Sequence, residues 1–80
     1  MSDPVSWFMI EPGWPVFDPG GATVGTVAEV RGAENEDIFD GLIVALSELD
    51  RKYVPSELVG LITEGGIELT ISAAQVAELS

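Results

Sequence analysis

The 80-residue chain has no cysteine and no histidine, and only three of its residues are basic. Without cysteine there is neither a disulfide to staple a small core nor a thiol nucleophile. With histidine also missing, most zinc and transition-metal ligand sets and the commonest general base are gone. Three cations against 14 carboxylates leave a net charge of -11. That balance opposes nucleic-acid binding, which rests on neutralising phosphates with Lys and Arg, and it opposes an anionic membrane surface. No apolar run approaches the ~18 residues of a spanning helix. Asp3 rather than a basic stretch precedes the first apolar residues, so neither an integral membrane segment nor a signal peptide is expected. A cysteine-free chain suits the reducing cytosol, and the expected location is cytoplasmic.

What is present argues for folding. Hydrophobic residues make up 46% of the chain and mean hydropathy is positive, which is too apolar for disorder despite the charge. Eighty residues form one domain, 1–80, with residues 1–4 expected as a loose end. The acidic surplus reads as a solvated coat.

The pattern is that of short strands. Asp18-Pro19-Gly20-Gly21 is a turn: Pro19 fixes φ, the Asp18 carboxylate can bond the backbone ahead, and either glycine accepts positive φ. A strand follows over Val24 to Val30, in which Gly25 marks a bulge or a close backbone approach. A phosphate loop here would need a helix and usually a lysine behind it, and neither follows. Before this turn, Trp14, Val16 and Phe17 form a short strand in which Pro15 suits a sheet edge. After it, Arg31 to Asp37 is a polar loop. Leu42-Ile43-Val44-Ala45-Leu46, apolar on both faces, is expected as the central strand. Arg51 to Pro55 is a strand, and Ser56 caps a single helical turn near 56–59. Gly60 to Thr63 and Ile67 to Ile71 flank a hairpin turn at Glu64-Gly65-Gly66, with Ile67, Leu69 and Ile71 facing inward. Ser72 with Gln75 forms a capping box that opens a short C-terminal helix over 72–79, its Val76 and Leu79 turned to the sheet.

Two groups of residues stand out. Trp7, Phe8, Met9, Trp14 and Phe17 concentrate the bulky side chains near the start of the chain. Any one of them is by default core, but as a group they point to a docking patch, because such residues carry the energy of interfaces. Glu34, Glu36, Asp37 and Asp40 crowd a second stretch, yet it supplies neither the alternating oxygens nor the sharp-turn glycine of a calcium loop. Solvated connection is the default there, with weak cation binding as the alternative. Lys52 lacks the strand-helix setting of serine-lysine catalysis. No catalytic residue, metal or cofactor is therefore expected.

The order Gly20-Gly21, Val24-Gly25-Thr26-Val27, Asp40-Gly41-Leu42-Ile43-Val44, Tyr53-Val54-Pro55-Ser56-Glu57-Leu58-Val59 and Ile67-Glu68-Leu69-Thr70-Ile71-Ser72 resembles the PRC-barrel family, most closely its small stand-alone prokaryotic members. The likeness covers roughly residues 13 to 79. It implies a mostly β fold, a small barrel of about six short strands. It also implies an adaptor role, since a reaction-centre subunit and the C-terminal domain of a ribosome maturation factor carry this barrel. The resemblance brings no catalytic residues. The expected function is a non-enzymatic module that binds a protein partner or itself, a homodimer included, through the aromatic group and a sheet edge. The alternative is a small-ligand or cation-sensing barrel that uses the acidic loop 34–40.

Overall fold

The computed structural model describes residues 5–79, so the loose end expected at 1–4 lies outside the described residues. Six strands form: β1 (Pro15–Phe17), β2 (Thr23–Ala33), β3 (Ile38–Ala45), β4 (Arg51–Pro55), β5 (Val59–Thr63) and β6 (Gly66–Leu69). Short 3-10 turns occupy Trp7–Met9, Glu34–Glu36 and Ser56–Leu58, and one helix, α1, covers Ala73–Ala77. The protein is mostly β, as its pattern of strand-length apolar runs requires.

The strands make one mixed sheet in the order β4-β3-β2-β1-β6-β5, with β1 and β6 parallel and every other pair antiparallel. No ladder joins β4 to β5, so the barrel closure expected from the sequence is not made by strand pairing. The two edge strands are nonetheless connected by the three residues Ser56–Leu58. The sheet must therefore curl until its ends lie a single turn apart. Two register shifts between β2 and β3, after Val27 and after Arg31, supply bend and twist along the longest strand pair.

Several elements differ from the sequence expectation for identifiable reasons. β1 is interior rather than at an edge. Pro15 is tolerated because it is the first residue of the strand, and the parallel pairing with β6 begins only at Val16. β3 lies second from one edge, not at the centre, and its outward Ile43 is only half buried. The polar loop is shorter than expected, because β2 runs on through Arg31, Gly32 and Ala33 to pair with β3. Ser56 does not cap its turn; Pro55 precedes it without a side-chain cap bond. β6 stops at Leu69, although Ile71 still packs against the core. The helix is limited to Ala73–Ala77, but its capping box is complete. The Gln75 amide donates to Ser72 Oγ at 3.3 Å, and the Ser72 amide donates to Gln75 Oε1 at 2.9 Å.

Turn chemistry is as expected at Asp18, whose Oδ1 accepts from the amides of Gly20 and Ala22, both at 2.9 Å, while Gly21 takes φ +88. Gly25 marks a close approach: a Cβ there would overlap the carbonyl of Ala45 on β3. The neighbouring register shift between Val16 and Phe17 places Val24 as the extra residue.

The core is wholly apolar. Val16, Val27, Leu42, Val44, Val54, Ile67, Leu69 and Val76 are all but inaccessible, Ile10 nearly so, and no polar side chain is buried among the described residues. Val76 lets α1 plug the concave side of the sheet, where the helix meets both β2 and β4. Burial of each such side chain is worth about 1.5 to 3 kcal/mol relative to exposure, a large share of a small domain's net stability. Leu42 and Leu49 make a matched test, since they are 0% and 98% exposed. Leu42→Ala is expected to lower unfolding free energy by about 2 to 5 kcal/mol. Leu49→Ala, on the β3–β4 turn, is expected to stay within about 0.5 kcal/mol of the parent in the same denaturant titration.

Candidate functional site

Residues 5–10 do not form a strand. Ser6 caps a 3-10 turn by accepting from the Phe8 amide at 3.3 Å, and the chain leaves the turn extended at Ile10. Successive side chains around so tight a turn point in different directions. Trp7 lies inward and half buried and Ile10 enters the core, whereas Phe8 and Met9 remain 45% and 55% exposed.

Trp7 is held on three sides. Its ring stacks on Phe39 of β3 with centroids 5.3 Å apart and planes 14° from parallel. Its indole N–H donates to Asp37 Oδ1 at 3.0 Å. Its edge lies over Gly32 of β2, where a Cβ would come within 2.9 Å of Cη2. Phe8 packs on the other side, with ring centroids 4.5 Å apart. Asp37 stands at φ +54, a left-handed conformation that Asp tolerates better than most residues.

The amide of Val5 donates to the Ile62 carbonyl of β5 at 2.8 Å. Two residues later the Trp7 ring covers Gly32 near the far end of β2. A two-residue step spans at most ~7 Å. The N-terminal segment therefore bridges the β5 edge and the β2–β3 end across ground that no strand ladder covers.

The other members of the aromatic group are placed differently. Trp14 is half buried and packs against the core, and the Phe17 ring lies over Gly66, where a Cβ would stand 3.0 Å from Cε2. Of the five candidate docking residues, only Phe8 and Met9 thus present more than a third of their surface to solvent. Sequence reasoning missed Gly32 and Phe39, the seat on which Trp7 rests. It also missed Ile38, which is 47% exposed and follows Asp37 directly at the same end of the molecule.

The acidic stretch does not converge. Glu36, Asp37 and Asp40 are exposed, one oxygen of Asp37 is engaged by Trp7, and the side chain of Glu34 is outside the description. No group of three or more acidic side chains within metal-holding reach occurs among the described residues. Across the described chain the carboxylates are exposed apart from half-buried Asp18. Two loose surface ion pairs, Arg31 with Glu29 at 3.5 Å and Lys52 with Asp50 at 4.0 Å, neutralise few of them. No pocket opens among the described residues, and none of their helices is long and apolar enough to cross a membrane. Compared with protein-family models and with the curated proteins, the chain matches none.

The seat of Trp7 can be tested directly. Gly32→Ala drives a methyl group against the Ile38 carbonyl of β3 as well as the Trp7 ring, and Asp37→Ala removes the indole's acceptor. Both are expected to red-shift and quench tryptophan emission, with the larger change in Gly32→Ala. Emission unchanged in both variants would place Trp7 elsewhere.

Proposed function

We propose that the protein is a non-enzymatic interaction module that docks through the apolar residues its N-terminal turn presents, Phe8 and Met9. The single observation that carries this reading is the division of labour within that turn. Trp7 and Ile10 secure it, and the two large side chains between them are left outside. Adjacent exposed Phe and Met on an anchored turn lose little backbone freedom on binding, which favours their use as anchors. Surface hydrophobes scattered singly need no such explanation, as with Leu49 on its turn. The absence of histidine and cysteine from the sequence supports a non-enzymatic reading.

The PRC-barrel-like resemblance belongs to the same proposal. Its adaptor role agrees with a surface that offers anchors rather than a cleft, and the curl of the sheet is compatible with a barrel left open at one seam.

The variant Phe8→Ser/Met9→Ser separates docking from folding. Since both side chains are about half exposed, the variant is expected to melt within a few degrees of the parent. Immobilised parent protein is expected to retain a stoichiometric partner, or to sediment as a dimer, and the variant to do neither. Trp7→Ser, in contrast, is expected to lower the melting temperature clearly. A parent protein that stays monomeric and retains nothing would contradict the reading.

A further inference from the structure

We infer that the occupant of the Phe8–Met9 surface is a basic amphipathic peptide segment, an apolar anchor flanked by Lys or Arg, rather than a second copy of this chain. The inference rests on the docking role proposed above and adds the chemistry of the partner. Two observations select it.

The first is charge. Glu11 lies two residues beyond Met9, and Asp37, next to Glu36, holds the indole on which Phe8 packs. Asp37 binds that indole through Oδ1 alone, leaving Oδ2 without a protein partner among the described residues. Phe8 and Met9 therefore sit within an acidic border. Arg51 and Lys52 pair with Ala45 and Val44, toward the other end of β3 from Phe39, on which Trp7 stacks. Arg31 is occupied by Glu29. A cationic flank on the partner meets uncompensated carboxylates here, and a second copy carrying -11 meets like charge.

The second is area. Two half-exposed side chains, with Ile38 at the same end, fall far short of the ~800 Å² per partner that a stable protein-protein interface buries. A short segment buries a small area and binds more weakly than a folded copy would over a full interface, which is what so small an apolar surface allows, and charge-assisted hydrogen bonds to Asp37 and Glu11 supplement the anchor.

The test uses the whole chain and a synthetic 14-residue peptide of alternating Leu and Lys blocks. Two further peptides serve as comparisons, one with Glu for every Lys and one with Ser for every Leu. Binding is followed by tryptophan emission and by calorimetry at 50 and 300 mM salt. The Leu/Lys peptide is expected to bind with one-to-one stoichiometry, at least tenfold more tightly than either comparison peptide, and to weaken severalfold at the higher salt. Phe8→Ser/Met9→Ser, which leaves the net charge unaltered, is expected to lose at least tenfold in affinity. Equal binding by parent and variant would mean diffuse charge attraction and would overturn the inference. A parent dimer that excludes the peptide and is abolished by the same variant would also overturn it, while leaving the docking reading intact. A monomer that binds none of the peptides would overturn the inference, and one that also retains no protein partner would overturn the docking reading with it.

Discussion

The structure depends on how a six-stranded sheet whose outer strands β4 and β5 do not pair is held together. The short strand β1, three residues long, is paired on both sides. Val16 faces Gly25 of β2 in one direction and Ile67 of β6 in the other, and thereby joins the β2-β3-β4 meander to the β5-β6 hairpin. The residues before it tie further parts of the sheet together. Val5 hydrogen-bonds the outer edge of β5, Trp7 rests on the β2–β3 end, and Ile10 enters the core. The first 13 described residues thus hold together parts of the sheet that do not pair with one another.

This arrangement also shapes the surface. An exposed edge strand invites association with other chains, and each edge is blunted in its own way. On β4 the protection is chemical, with Arg51, Lys52 and Pro55 in a five-residue strand. On β5 it is structural, since the N-terminal segment covers part of the edge through Val5. The same segment leaves Phe8 and Met9 in solvent, so covering an edge exposes a small apolar pair. In the docking role we propose, acidic residues around it would discourage like copies and favour a cationic partner.

Much of the fold was legible in the sequence because local chemistry and tertiary need agree there. The Asp18 turn, the alternation of Ile67 and Leu69, the Ser72–Gln75 box and the strand Arg51–Pro55 are each written in a few adjacent residues. Strand order was not, because it depends on long-range pairings such as Val16 with Ile67, and the closed barrel expected from the pattern lacks its last ladder. Gly32 looked like part of a polar loop, and nothing nearby in sequence signals that an indole 25 residues earlier occupies its face. The aromatic group was legible as a group only. Which of its members are core and which exposed follows from the 3-10 turn, whose tight winding separates Trp7 from Phe8. The acidic stretch was visible as composition, but adjacency in sequence did not make its oxygens converge.

The central claim is that residues 6–9 form a fixed part of the domain, clamped through Trp7, and not a loose arm. The most direct measurement is the backbone ¹⁵N heteronuclear NOE of these residues, taken with the exchange rate of the Trp7 indole N–H. The account predicts NOE values equal to those of β2 and β3, and an indole proton that exchanges more slowly than that of a free tryptophan. Low NOE values over residues 6–9 with a freely exchanging indole would contradict it.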